Sequence, residues 1–132
     1  IVESDPVGYE HVKIPVDGYF FQNGSAVQKF AITKTIMATQ NLLERNNLAR
    51  SDVGFFIGHQ ANLRMLKAAY KKLEFSNATH LYNVDKFGNQ GAAGAPGVLA
   101  QNWDKIHSGD IVVMAVVGSG LTWGAALLQK TS

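Results

Sequence analysis

The segment from Ile111 to Leu128 restricts the fold of this chain more than any other. Ile-Val-Val-Met-Ala-Val-Val, residues 111–117, carries no charge and is rich in β-branched residues, which favour strands. Gly118-Ser119-Gly120 makes a tight connection, and Leu121 to Leu128 supplies a second strand. Two such runs around a short glycine turn read as a β-hairpin.

Upstream of that hairpin, helices and strands alternate. A helix is expected from about Ala26 to Asn46, with Ser25 as its N-cap. Ile32, Ile36, Thr39 and Leu43 share one of its faces, with Val27, Phe30 and Met37 beside them, so it is expected to be mostly buried. Val53 to Ile57 reads as a strand that is apolar on both faces, with His59 just beyond it. A second helix from about Asn62 to Leu73 turns Leu63, Leu66, Tyr70 and Leu73 inward. Leu81 to Val84 is a weaker strand. The Gly88–Gly94 segment is rich in glycine and alanine, and a third helix follows to about Ile106. Residues 1–18 contain Pro6, Gly8, Pro15 and Gly18 and read as irregular, with room for a short extended piece. The order α, β, α, β, α, β, β predicts an α/β fold: a mixed, mainly parallel sheet covered by helices, closed by a C-terminal β-hairpin. Ligands of such sheets bind beyond the carboxyl ends of the strands. His59, Asn89 and the Gly118–Gly120 turn are expected there.

Composition narrows the functional classes. A chain of 132 residues suits one domain or one lobe of a larger one. Its net charge of +2, without a lysine/arginine block, argues against a nucleic-acid partner. The apolar run at residues 111–117 is too short to span a bilayer, so no membrane partner is expected. The four histidines, His11, His59, His80 and His107, are not spaced as metal ligands. Without cysteine there is no disulfide framework, and a cytoplasmic location is expected. The chain opens on Ile1 rather than Met, as a fragment, a processed chain or an engineered boundary would.

Taken singly, the polar residues have ordinary explanations. His59 reads as a packed or capping histidine, and Asn89 as half of a Gly-Asn turn pair. Arg64, Lys67 and Lys71 form a basic stripe that a solvated helix face would explain. Gly118-Ser119-Gly120 reads as a hairpin turn; Val117 rules out a Gly-x-Ser-x-Gly elbow. As a pair, His59 and Asn89 say more. Both donate hydrogen bonds, and two donors aimed at one point can hold an oxygen as negative charge develops on it. The nucleophile of such a centre is missing.

In their order and spacing, three segments resemble the C-terminal half of β-ketoacyl-acyl-carrier-protein synthase III, condensing enzymes of the thiolase-like fold. They are His59-Gln60-Ala61-Asn62-Leu63-Arg64, Asp85 to Ala93, and Gly118-Ser119-Gly120-Leu121-Thr122-Trp123-Gly124. The resemblance covers about residues 20–129. It implies a thiolase-like domain over 19–132, after an N-terminal segment of 1–18. It also implies that His59 and Asn89 belong to a Cys-His-Asn centre whose Cys lies in an N-terminal half. In that family the Cys takes an acyl group from acyl-CoA. His and Asn then hold the thioester carbonyl of malonyl-carrier protein while it loses CO₂, and the enolate attacks the acyl-enzyme. Gly118, Ser119 and Gly120 match the family's glycine loop beside the Cys. Arg64 matches a position implicated in docking the acidic acyl carrier protein, with Lys67 and Lys71 as weaker partners. The resemblance implies no cofactor and no metal, and a homodimeric parent enzyme. This chain alone is expected to be inactive in condensation. The alternative is a non-catalytic subunit of the same fold that binds carrier protein or CoA, or acts as a scaffold.

The chain departs from the family pattern around the substrate. Gly58 stands where Pro is common before the His. Gln90-Gly91-Ala92-Ala93-Gly94 stands where Thr-Ser-Ala-Ala-Ser is frequent, and Ser119 interrupts the glycine triplet.

Overall fold

The computed structural model describes residues 1–131. Its elements in chain order are β1 (Val2–Ser4), β2 (Val12–Lys13), β3 (Phe21–Gln22), α1 (Gly24–Arg45), β4 (Phe55–Gly58), α2 (Leu63–Leu73), β5 (Thr79–Leu81), α3 (Val84–Phe87), α4 (Gly94–Gln101), β6 (Ile111–Gly118) and β7 (Thr122–Gln129). Five strands form one sheet in the order β1-β7-β6-β4-β5. β4 runs parallel to both β5 and β6, while β6 and β7 form the antiparallel C-terminal hairpin. The mixed α/β sheet covered by helices is thus the one expected from the alternation of apolar runs.

Side chains on β4 and β6 alternate between two cores, as a period of two requires. Phe56, Val113 and Ala115 face one side and pack with Ala38, Leu42 and Leu43 of α1 and Leu73 of α2. Ile57 and Val112 face the other, with Leu81, Ala95, Val98 and Ile106. Phe56 and Val113 are completely buried. Burial of side chains of this size contributes about 1.5–3 kcal/mol each.

Four local expectations need correction. Helix α1 starts at Gly24, and its N-cap is Asn23, not Ser25: the Asn23 carboxamide oxygen accepts from the Ala26 N–H at 3.2 Å. Of the expected inner stripe, Thr39 and Leu43 are buried, but Ile32 and Ile36 are half-buried and Met37 is exposed; Ala31, Thr35, Ala38 and Leu42 are buried as well. Small side chains at 31, 35 and 38 let that side of the helix lie close to the sheet, so the buried face is turned toward them. The third helix stops at Gln101; Asn102 donates to the Val98 carbonyl at 2.8 Å, and a separate 3₁₀ turn spans Trp103–Lys105. Strand β5 ends at Leu81 rather than Val84, because the N–H groups of Asn83 and Val84 are drawn to the Gln60 side chain instead of a strand partner.

Residues 1–18 are also less irregular than expected. β1 joins the sheet edge, pairing Val2 with Gly124 and Ser4 with Thr122. Trp123 anchors it by donating from its indole N–H to Glu3 at 3.0 Å. A 3₁₀ turn follows at Pro6–His11, and β2 pairs with β3 to form a small separate hairpin.

Candidate active site

His59 follows the last residue of β4. Gly58 is buried there, and a Cβ on it would lie 2.3 Å from the Leu66 side chain. Glycine at 58 lets the Leu66 side chain of α2 pack directly over the strand end, and a larger residue would require that side chain to move. Asn62 caps α2, its carboxamide oxygen accepting from the N–H groups of Arg64 at 2.9 Å and Met65 at 3.2 Å. His59 is therefore held between a strand terminus and a helix cap. Its imidazole is partly buried. Burial removes the water that would solvate the imidazolium, so its pKa lies below the ordinary histidine value. A neutral ring offers one N–H and one acceptor nitrogen.

Asn89 lies just past α3, after Gly88, which ends that helix with φ 67°. Its carboxamide oxygen accepts from the Gly91 N–H at 2.9 Å. That bond turns the oxygen back on its own loop and leaves the exposed NH₂ free to donate outward. Gly91 has φ 59°, a left-handed value that glycine adopts freely.

The glycine loop is set from the far end of the chain. β6 ends at Gly118, and Gly120 has φ 130°, which disfavours any side chain there. Leu121 is buried and exchanges two backbone hydrogen bonds with Asp5, at 2.8 and 3.1 Å. Gly8 closes over it; a Cβ there would lie 2.6 Å from the Leu121 side chain.

These segments meet. His59, Asn89, Gly118 and Ser119 line one cleft of about 540 Å³, with Val12 and Phe20 of the small hairpin region on its wall. The same four residues line an adjoining cleft of about 600 Å³ beside Val116 and Thr122. Gly120 lines neither. Apart from the His59 imidazole, no ionisable side chain lines either cleft. The available polar groups are amides, the Ser119 and Thr122 hydroxyls, the Trp123 indole and the imidazole ring, which suits binding a developing negative charge through fixed dipoles. Among the described residues, no three His, Asp or Glu side chains come together as a metal site would need.

Arg64, Lys67 and Lys71 lie apart from these clefts, exposed on α2. Lys67 reaches over the Tyr82 ring at 5.8 Å. Gln60 has no reason to stand out by sequence pattern, since it breaks no periodicity, yet it is fully buried between the segments that carry His59 and Asn89.

Residues 43–130 match the family model described as 3-oxoacyl-[acyl-carrier-protein] synthase III C terminal. The chain is 37% identical over 128 residues to the β-ketoacyl-[acyl-carrier-protein] synthase III of Bacillus pumilus, a match that takes in 96% of this chain and 41% of that protein. It is 34% identical over 125 residues to the enzyme of the same name from Azobacteroides pseudotrichonymphae, covering 95% of this chain and 37% of that protein. In structure it is similar to the 3-oxoacyl-(acyl carrier protein) synthase III of Pseudomonas aeruginosa, with a TM-score of 0.90 and 28% identity over 100% of this chain and 43% of the other. The fold is therefore thiolase-like, and the chain spans about two fifths of the length of these relatives.

Proposed function

The chain belongs to the 3-oxoacyl-[acyl-carrier-protein] synthase III C-terminal family, and from that premise we propose that it supplies the decarboxylating half of a condensing centre. In this reading a Cys in a separate N-terminal half first takes an acyl group from acyl-CoA. Malonyl-carrier protein then enters, and its thioester oxygen accepts from the His59 ring N–H and the Asn89 NH₂. The C–C bond to the carboxylate breaks, CO₂ leaves, and its electron pair passes into an enolate whose charge rests on that oxygen. The enolate carbon bonds to the acyl carbon, and the Cys thiolate departs. Gly118 and Ser119 border the space that the acyl thioester would occupy, and Gly120 shapes their loop.

The observation that carries this reading is the convergence of His59, Asn89 and the glycine loop on clefts that hold no other ionisable side chain. Donors that are already fixed stabilise charge as it appears and cost no reorganisation. A neutral His59 fits the role, because an N–H offered to an oxygen needs no proton transfer. Exposed apolar side chains at Val2, Ile14, Val16, Tyr19 and Phe20 support a further half packed nearby. Arg64, with Lys67 and Lys71, would dock the acidic carrier protein at α2, with an attraction that weakens in salt. Without its Cys-bearing half the chain is inactive in condensation; the complete enzyme is a cytoplasmic homodimer.

His59→Ala and Asn89→Ala, made in the enzyme complete with its Cys half, test the centre. Each is expected to slow decarboxylation of a malonyl thioester by roughly 10²–10³, and unchanged rates in both would remove their assigned role. Arg64→Glu is expected to weaken the carrier-protein step and leave acylation of the Cys by acyl-CoA intact; equal losses in both steps would remove the docking role. The rival, a scaffold or carrier-binding subunit, is decided by whether any half assembled with this chain carries a Cys in a strand-to-helix turn.

A further inference from the structure

We propose that Gln60 is the positioning residue that fixes His59 and Asn89 relative to one another. This rests on the reading of those two residues as the paired donors. Gln60 is 0% exposed, and both ends of its carboxamide are used. Its NH₂ donates to the Gly58 carbonyl at 2.8 Å, bridging the residues on either side of His59. Its oxygen accepts from the N–H groups of Asn83 at 2.9 Å and Val84 at 3.1 Å. Those groups open α3, whose far end delivers Asn89. The orientation of the amide is dictated by its partners: two donors face the oxygen, and a carbonyl faces the nitrogen.

The chain beyond Asn89 bears on the same side chain. Gly94 opens α4, and a Cβ there would lie 2.7 Å from the Gln60 Cβ. Gln60 thus touches the His59 turn, the helix before Asn89 and the helix after it. A hydrocarbon of equal size would fill the space and take the side-chain partner from three backbone groups, those of Gly58 and Asn83 buried and that of Val84 partly so. A shorter side chain would not reach both segments. Gln60 itself does not line the clefts, so it acts on the reaction through the two donors.

The experiment compares two half-reactions in the complete enzyme. Gln60→Met removes both sets of bonds, Gln60→Glu keeps the acceptor facing α3 but loses the donor to Gly58, and Gly94→Ala presses on Gln60 from the other side. All three are expected to lower kcat for malonyl thioester decarboxylation, by roughly 10–100-fold for Gln60→Met and less for the others. The KM for the thioester and the rate of Cys acylation are expected to stay within about twofold, because a shift of the two donors leaves the first half-reaction alone. Equal losses in both half-reactions, or normal decarboxylation in a less stable protein, would overturn the proposal by making Gln60 a structural residue only. If neither Gln60 variant folds, Gly94→Ala decides alone: a selective loss supports the proposal, and none or a uniform loss overturns it. His59→Ala runs beside them. Normal decarboxylation in His59→Ala overturns the pairing itself, whereas normal decarboxylation in the Gln60 and Gly94 variants with a slow His59→Ala overturns only the brace.

Discussion

The two faces of the sheet are finished to different degrees. On one, α1 and α2 cover β4, β6 and β7, and Phe56, Val113, Ala115, Trp123 and Ala125 pack beneath them. On the other, α4 covers β4 and part of β6 but stops short of the hairpin and β1. There Val116 is 39% exposed, Leu128 38% and Val2 80%, along one side of three paired strands. The open patch adjoins the cleft that holds His59 and Asn89. One face is a core, and the other has the character of a surface meant to be covered. A half-enzyme would need both: a core that folds the chain, and an apolar face beside its donors to receive the half that brings the Cys.

The largest effect should come from the covered face. Phe56→Ala leaves a cavity among α1, α2 and the sheet and is expected to cost about 3–5 kcal/mol in denaturant unfolding; a loss below ~1 kcal/mol would mean that face is not the stabilising one. A pH effect comes next, from the same layer. His80 stacks on Tyr70 at 4.5 Å and contacts Phe56 and Tyr82. Burial, with a lesser contribution from Lys67, lowers its pKa from 6.5 to about 4. The unfolded chain then binds more protons than the folded one between those values. Stability is full above about pH 6.5 and falls as pH drops toward about 4. His59, displaced in the same direction, adds to the slope. His80→Phe should flatten this profile, and an unchanged slope would assign it to other groups. A smaller effect is expected at the sheet edge, where Glu3→Gln weakens the bond from Trp123 by about 1 kcal/mol in thermal unfolding; no change would show that pairing alone holds β1. The smallest belongs to the open face. Val116→Asp should alter the chain's own stability by less than about 0.5 kcal/mol yet prevent productive assembly with the Cys-bearing half, read as loss of condensation. A large stability loss would mean that the patch is already part of the core.

The elements legible in the sequence are those whose signal is local. Val53 to Ile57 and Ile111 to Val117 are apolar on consecutive positions because each strand separates two cores. Of the face expected for helix α2, Leu66 and Leu73 are buried and Leu63 and Tyr70 half-buried, with the small Ala69 buried beside them. What could not be read depends on distant partners. β1 is Val-Glu-Ser, hardly a strand by composition, and exists because β7 offers it an edge. Helix α3 is four residues long and starts where Gln60 takes two N–H groups that β5 would otherwise have used. His59 and Asn89 drew attention in sequence only as a pair of donors within the three resembling segments, and the structure adds that both line the same clefts. Gln60 stands in the same segment as His59 but suggested no role of its own, because an amide that braces two segments looks in sequence like any surface glutamine.

The anchoring of the glycine loop by the first strand has a consequence for how the protein is made. Glu3 and Trp123 are 120 positions apart, and Asp5 meets Leu121 across nearly the same span. A ribosome emits residues 1–8 well before Leu121. In the interval residues 1–8 wait without that partner, while α1 and α2 can already meet β4. The loop beside His59 is therefore set only after β7 has been made. A nascent or truncated chain that stops before β7 holds the residues of the paired donors but not the frame that brings the loop to them.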